Sequence, residues 1–75
     1  DMKMIDGNRT VYDLIQEYPE LKPILVEIGF KPLSNDKMLN TVGRMMPLNS
    51  GAKQIKLSLD DLKIALRKEG FDLQD

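Results

Sequence analysis

Apolar residues recur three and four positions apart along short segments that prolines and glycines separate, and this spacing constrains the chain to short helices. In the first segment, residues 10–18, Val11, Leu14 and Ile15 fall on one helical face. The threonine that opens this segment stands three residues before an aspartate, a spacing typical of a capping box. Because Pro19 cannot continue a helix and biases the residue before it towards an extended conformation, we expect the first helix to end there.

A second helix is predicted directly afterwards, over residues 21–28, where the same apolar spacing repeats. Pro23 is tolerated because backbone N–H groups in the first turn of a helix have no partner within the helix. Gly29 suits the positive φ that commonly ends a helix, and Phe30 would then fold back against it.

A loop over residues 31–35 precedes a third helix, for which Ser34 or Asn35 is the predicted cap. Pro47 then marks either a break or the start of a short fourth helix that ends near Ile55. The apolar residues that share the predicted inner face of the third helix are Met38, Leu39, Val42 and Met45.

The last predicted helix has the clearest boundaries. Ser58 stands three residues before Asp61 as a second capping box, and Gly70 follows as a stop. Basic residues near its C-terminal end interact favourably with the helix dipole. We therefore expect residues 58–69 to be helical.

Together these segments predict an all-α fold: a single small domain of four to five short helices in an irregular array, with no convincing strand. A chain of 75 residues is too short for a second independent core. We expect residues 10–75 to form this helical domain and residues 1–9 to be an N-terminal extension that is partly disordered.

The chain contains neither cysteine nor histidine, and this absence excludes many kinds of site. Structural zinc, iron–sulfur clusters and disulfides all need thiolate or imidazole groups. General acid–base catalysis would need a carboxylate or a lysine with a strongly shifted pKa. The glycines do not form a phosphate-binding spacing. The sequence therefore predicts no catalytic residue, no metal ligand and no cofactor.

Hydropathy and composition predict a cytoplasmic protein without a membrane segment. The longest unbroken apolar run has three residues, Ile24–Val26, whereas a membrane span needs about 20. The hydrophobic core of a signal peptide needs at least about 7 apolar residues. The lack of cysteine is consistent with a reducing compartment.

Two pairs of segments resemble a known family. Residues 10–21 (TVYDLIQEYPEL) and 24–30 (ILVEIGF) show a capped helix, a "YP" break, a second helix and a "GF" stop. Residues 47–53 (PLNSGAK) and 57–62 (LSLDDL) show a short helix followed by a capped final helix. Over nearly the whole chain, this combination resembles the small helical domain of unknown function family 1858, of the type associated with hybrid-cluster proteins.

The resemblance implies a fold and a class of partner. Many members carry a C-x-x-C pair directly after the "GF" and are regarded as redox-disulfide modules, and others accompany hemerythrin-like or iron-centre repair proteins. The matching positions here are Pro32 and Asn35, which cannot form a disulfide. The chain therefore resembles a cysteine-free branch, to which the thiol chemistry does not transfer.

Six residues are candidates for contact with a partner, and each has a structural alternative. The loop takes the place of the reactive pair, so it is a candidate docking surface, although its residue types also suit a plain connector. A methionine near the end of the third helix offers a flexible contact, although methionines at helical spacing more often fill a core. An isoleucine on the polar side of the last helix is a candidate interface residue, although single exposed apolar residues are common. The candidates are Lys31, Pro32, Leu33, Asn35, Met46 and Ile64.

Three classes of function remain open. The first is a helical accessory domain without catalytic activity that binds a protein partner, for which the resemblance suggests a hemerythrin-like or PAS-containing regulator. The alternative is a helix-turn-helix DNA-binding domain, since residues 37–75 hold seven basic and five acidic side chains. Asp60 and Asp61 at the start of the last helix, with the net charge of -1, argue against nucleic acid. An enzyme with paired carboxylates has the weakest support. We expect a monomer or a weak homodimer with no membrane contact.

Overall fold

The computed structural model describes residues 1–74, which form five α-helices, two 3-10 helices and a two-stranded parallel sheet. In chain order the elements are β1 (Lys3–Asp6), α1 (Val11–Glu17), α2 (Leu21–Ile28), a first 3-10 helix (Lys31–Ser34), α3 (Asp36–Asn40), a second 3-10 helix (Val42–Met45), α4 (Leu48–Gln54), α5 (Leu59–Lys68) and β2 (Phe71–Gln74). The predicted number of four to five short helices is therefore confirmed.

Side-chain caps open α1 and α5 where the sequence predicts them. The Thr10 hydroxyl accepts a hydrogen bond from the backbone N–H of Asp13 at 3.1 Å. The Ser58 hydroxyl accepts one from the backbone N–H of Asp61 at 3.1 Å. Each cap satisfies an N–H group that has no partner inside its helix. The bounds of α5, Leu59–Lys68, agree with the prediction of a helix over this segment.

The proline and glycine stops also lie where the sequence predicts them. Tyr18, directly before Pro19, has a φ of -127° and a ψ of 85°, outside the helical region. Gly29 ends α2 with a φ of +147°, which favours glycine. The backbone N–H of Phe30 then donates to the Leu25 carbonyl at 2.9 Å, so the phenyl ring turns back into the core.

The predicted third helix is interrupted at Thr41, whose φ of -113° and ψ of -80° are not helical. Asn35 caps the part before the break, since its side-chain oxygen accepts from the N–H groups of Lys37 and Met38. After the break the chain continues as a 3-10 helix, and its tighter turns change which residues share a face. The predicted inner face is therefore wrong except for Leu39. Its other members are exposed: Met38 (37%), Val42 (42%) and Met45 (77%).

The fold is not all-α, because the two ends of the described chain pair as a parallel sheet. The register of β1 and β2 places Ile5 opposite Leu73. The backbone N–H of Lys3 donates to the Gly70 carbonyl at 2.9 Å. Residues 1–9 thus contain a paired strand instead of the partly disordered extension that the sequence suggests.

Alternate side chains of β1 and β2 are buried, and this alternation explains why the two strands pair. Ile5, Phe71 and Leu73 belong to the hydrophobic core, while Met4 points away and is 63% exposed. An isolated two-stranded sheet is marginal in water, so the sheet depends on packing its apolar face against the helices. Four residues per strand are too few for this alternation to be recognised from the sequence.

A short antiparallel bridge holds α4 beside α1. The backbone N–H of Val11 donates to the Met46 carbonyl at 2.9 Å, and that of Leu48 donates to the Arg9 carbonyl at 3.0 Å. Val11 and Leu48 are themselves fully buried. The bridge therefore positions the second 3-10 helix and the start of α4, which form walls of the site described next.

Candidate functional site

The predicted docking loop is the first 3-10 helix, and three of its four candidate residues face solvent. Lys31, Pro32 and Asn35 are exposed. Leu33, by contrast, is 3% exposed and belongs to the core. Its backbone N–H donates to the Phe30 carbonyl at 3.1 Å, and the turn closed by this bond directs the side chain inward. Leu33 is therefore not a freely projecting side chain, and its role as a contact residue stays a prediction.

The two methionines after Arg44 differ in exposure. Met45 is 77% exposed, whereas Met46 is half-buried and packs against the core. The hydrogen bond from Val11 N–H to the Met46 carbonyl ties Met46 to the start of α1. Met46 therefore forms part of a wall and is not a freely projecting side chain.

An apolar groove opens between the first 3-10 helix, α3, the second 3-10 helix and α4, and we call it the 30–55 groove. Its volume is about 130 Å³. Met38, Val42 and Ile55 line it while remaining 37%, 42% and 38% exposed. The remaining lining residues are Phe30, Pro32, Leu33, Met46, Gly51 and Gln54. The groove therefore gathers apolar side chains from both 3-10 helices, from α3 and from Ile55 directly after α4 around one opening.

Gly51 gives this groove its depth. The residue lies within α4, where glycine is less favourable than alanine by about 0.5–1 kcal/mol. A Cβ atom at this position would lie 3.0 Å from Sδ of Met46 and 3.0 Å from Cε1 of Phe30. Glycine therefore lets α4 approach both side chains closely, and a larger residue would occupy the space that forms the groove.

The segment that forms the groove is basic. Residues 30–56 contain five cationic side chains and one anionic side chain, although the whole chain has a net charge of -1. The anionic residue, Asp36, is already paired with Lys22 of α2. Four lysines of this segment have no ion pair within residues 1–74: Lys31, Lys37, Lys53 and Lys56. We call these the groove lysines, since each stands next to a lining residue in the chain.

Arg44, the fifth cation of this segment, is held by α1. Its guanidinium carbon lies 4.0 Å from the centroid of the Tyr12 ring, and Nη2 donates to the Tyr12 hydroxyl at 2.9 Å. Its Nε donates to the Asn40 carbonyl at 2.9 Å. This cation–π contact and these hydrogen bonds fix the second 3-10 helix, and with it the wall of the groove, against α1.

A wider depression of about 460 Å³ lies between α2 and α5. Ile24, Ile28 and Ala65 contribute its half-buried apolar surface. Glu27, Lys68 and Glu69 add charges of both signs. Because these charges lie among the apolar residues, this depression offers no continuous apolar surface comparable to that of the 30–55 groove.

Ile64 lies apart from the other candidate residues. It is 56% exposed on α5, as its position on the polar side of that helix predicts. It borders a surface depression of about 290 Å³ together with Asp60, Lys63 and Arg67. The structure thus brings Pro32, Leu33 and Met46 together in one groove and leaves Ile64 on another surface.

The sequence pattern misses three exposed groove residues. It places Met38 and Val42 on an inner helical face and Ile55 near the end of the fourth helix, whereas all three border the groove. The cause is the break at Thr41. Thr41 and Gly43, two weak helix formers close together, permit such a break without requiring it.

Three ion pairs at the surface lower the pKa of carboxyl groups. The Lys3 ammonium donates a hydrogen bond to Glu20 at 2.9 Å and lowers the pKa of that carboxyl group. The same cause lowers the pKa of Glu17 beside Arg9 and of Asp36 beside Lys22. A general acid at neutral pH needs the opposite shift, so these pairs have the character of surface ion pairs.

Within residues 1–74, carboxylates do not cluster in threes as a metal site would require. In the same part of the chain, no helix combines the length and the apolar character needed to cross a membrane. The cytoplasmic location stays a prediction from the sequence.

Comparisons with known proteins identify similar chains. A family model described as "Domain of unknown function (DUF1858)" matches residues 5–63. The structure is similar to the crystal structure of the conserved domain protein from Streptococcus pneumoniae TIGR4, with a TM-score of 0.91 and 36% sequence identity. That similarity covers 99% of this chain and 94% of the other. No curated protein matches this chain. Neither description names an activity.

Proposed function

Because this chain belongs to the DUF1858 family, a domain of unknown function, we propose that it is a non-catalytic accessory domain that binds a protein partner through the 30–55 groove. The family membership agrees with the resemblance seen in the "YP" and "GF" segments. It specifies no activity, so the proposal depends on the surface of the domain.

The observation that carries the proposal is the apolar opening itself. Met38, Val42 and Ile55 are each more than a third exposed, and they surround one groove instead of being scattered. Single exposed apolar residues need no explanation, but apolar residues gathered around a concave site are typical of binding surfaces. Methionine side chains on such a surface adapt easily to the shape of a partner.

The charged groups supply a further argument against catalysis. The carboxyl groups with displaced pKa values are exposed and lie in ion pairs with Lys3, Arg9 and Lys22. None of these carboxyl groups lines the 30–55 groove. The groove therefore combines apolar surface with unpaired lysines near its edge, a composition suited to recognition.

The partner we propose is a hemerythrin-like or PAS-containing regulator. This choice comes from the resemblance, since some relatives accompany hemerythrin-like proteins. The loop that carries the cysteine pair in other members corresponds to the first 3-10 helix, and Pro32 and Leu33 from that helix line the groove. A docking surface retained without the thiol chemistry would account for this arrangement.

Titration of the ¹⁵N-labelled domain with the purified regulator encoded beside it tests the proposal. Val42→Glu introduces a charge at the groove, and Ile64→Glu introduces the same charge at an exposed position on α5. We expect Val42→Glu to weaken binding by about tenfold or more, since burying an unpaired carboxylate against an apolar surface costs more than the roughly 1.4 kcal/mol that a tenfold loss represents. Ile64→Glu should leave binding unchanged. Absence of binding at high micromolar concentration, or equal binding by both variants, would contradict the proposal.

The helix-turn-helix alternative has less support. The helix that would enter the major groove, α5, carries Asp60 and Asp61 in its first turn, where base contacts are usually made. Near its end, Arg67 is already paired with Asp72. Binding to duplex DNA that weakens steeply with salt would favour this alternative over protein docking.

A further inference from the structure

We infer that the occupant of the 30–55 groove is an acidic amphipathic helix of the partner, which inserts one large apolar side chain. This inference rests on the proposed function and names the class of segment that the groove recognises. Its support comes from the size of the groove, the chemistry of its walls and the charge around it.

The volume of the groove limits what can enter. At about 130 Å³ it is close in size to the engineered cavity of about 150 Å³ that holds one benzene molecule. One leucine, methionine or phenylalanine side chain therefore fits, and a whole segment does not. Binding by a single inserted residue is typical of hot spots, in which one anchor fills a pocket and weaker contacts surround it.

The walls favour a helix over an extended strand. A strand binds by adding to the exposed edge of a sheet, because its affinity comes from main-chain hydrogen bonds. The groove is bounded by two 3-10 helices, α3 and α4, whose backbone groups bond mainly within their own turns. Side chains alone are thus available for contact, and a helix that inserts its apolar residues binds through side-chain contacts of this kind.

Charge complementarity decides the character of that helix. The groove lysines, Lys31, Lys37, Lys53 and Lys56, are all exposed and have no ion pair within the described part of the chain. Asp36, the acidic residue of this segment, is paired with Lys22. Glutamate or aspartate residues beside the apolar anchor would therefore meet unpaired ammonium groups, whereas lysines there would be repelled.

The same lysines could hold phosphate groups, but the groove lacks a platform for bases. Proteins that bind single-stranded nucleic acid combine positive charge with exposed aromatic rings on which bases stack. The aromatic side chain of the groove, Phe30, is 2% exposed and belongs to the core. An acidic peptide with an apolar residue uses both the charge and the apolar walls, whereas a nucleic acid would use only the charge.

Two synthetic peptides of about 18 residues, long enough to form a helix, test the inference. Both carry leucines on one face at spacings of three and four. One has glutamates at the flanking positions, and the other has lysines at the same positions. Each is titrated into the ¹⁵N-labelled domain, and binding is mapped from amide shifts. Lys53→Glu and Val42→Glu serve as groove variants, Ile64→Glu serves as the matched control, and urea unfolding checks that each variant folds.

We expect the glutamate peptide to bind about tenfold or more tightly than the lysine peptide, and to shift the amides of Met38, Val42, Gly51 and Ile55. Higher salt should reduce this preference, because exposed charges are screened. Lys53→Glu should weaken binding of the glutamate peptide and strengthen binding of the lysine peptide. Ile64→Glu should change neither.

Several results would overturn the inference, and they separate it from the proposed function. If both peptides bind the groove equally, the inferred preference for an acidic helix is wrong, whereas the proposal that the groove binds a partner stands. If neither peptide binds while the regulator still binds the groove, the inference of an acidic helix is wrong and the proposed function stands. Displacement of the glutamate peptide from the groove by duplex DNA at low salt would indicate a nucleic acid. A dimer that Val42→Glu dissociates would identify a second copy of the chain as the occupant.

Discussion

Ile5 and Leu73 lie opposite each other in the parallel pair of strands, and they are 2% and 4% exposed. One belongs to β1 near the start of the described chain and the other to β2 near its end. Their pairing joins the two ends of the described chain in one two-stranded sheet, which packs against the helices. Ile5 therefore anchors β1, and with it the start of the described chain, to the hydrophobic core.

Ile5→Ala should destabilise the domain by about 2–5 kcal/mol, because it removes buried methyl groups and leaves a cavity. Met4→Ala, one residue earlier and 63% exposed, is the matched control and should change stability by less than about 0.5 kcal/mol. Urea unfolding followed by circular dichroism measures both. Equal stability of the two variants would show that the strand pair contributes little.

Gly29→Ala should destabilise the domain more than Gly70→Ala. Both glycines have positive φ angles, +147° and +88°, and strained backbone conformations of this kind cost about 1–3 kcal/mol. At Gly29 a Cβ atom would also lie 3.3 Å from Cδ1 of Ile55, whereas at Gly70 nothing lies within 4 Å. Thermal or urea unfolding of the two variants compares them directly. The reverse order would mean that contact with Ile55 does not add to the strain.

Thr10→Ala and Ser58→Ala should each reduce the free energy of unfolding by about 1 kcal/mol, since each removes a helix cap. The two losses should add in the double variant, because the caps belong to different helices and share no partner. Ser50→Ala, at an exposed position inside α4, is the control and should be nearly neutral. A loss confined to one cap would show that the other helix start is held by packing alone.

The pKa of Glu20 should rise towards its ordinary value in Lys3→Met, because the hydrogen bond from the Lys3 ammonium is the main cause of its lowering and a backbone hydrogen bond is the second. The carboxyl group has a lower pKa in the folded state, so the pair stabilises the fold above the unfolded pKa of about 4.3. This stabilisation is lost as the pH falls through the folded value. Carbon-detected NMR titration of the glutamate side chains measures the shift. An unchanged Glu20 titration in the variant would contradict the ion pair.

Hydrogen peroxide should oxidise Met45 faster than Met46. Met45 is 77% exposed, while Met46 is half-buried between the core and Gly51. Susceptibility to oxidation follows exposure to solvent. Peptide mass spectrometry at a series of reaction times measures the two rates separately. Faster oxidation of Met46 would contradict the backbone placement that turns Met46 inward.

The sequence contained enough information for most helices and for part of the site. Caps and stops act through neighbouring residues, so Thr10 and Ser58 as helix starts and Gly29 as a helix end could be recognised from local patterns. Pro32 and Met46 were recognisable as candidate contacts and do line the groove. Whether they bind a partner stays a prediction.

The break at Thr41, unlike the caps and stops, depends on contacts with distant residues. Because of it, Met38 and Val42 line the groove instead of the predicted inner face. Local propensity at Thr41 and Gly43 permits either a continuous helix or a break. The contact of Arg44 with Tyr12 and the bridge to α1 favour the broken form. Both contacts join segments distant in sequence, so periodicity alone cannot reveal them.

Local spacing, capping residues and helix-ending residues determined the number of helices and most of their bounds, because these properties depend on residues a few positions apart. Composition alone excluded thiol and imidazole chemistry, since the chain contains neither cysteine nor histidine. Tertiary structure alone decided the pairing of β1 with β2, the burial of Leu33 and the depth of the groove beside Gly51. Each of these features depends on contacts between residues far apart in the chain. Such contacts stabilise the fold only when the whole core packs, so local sequence patterns do not reveal them.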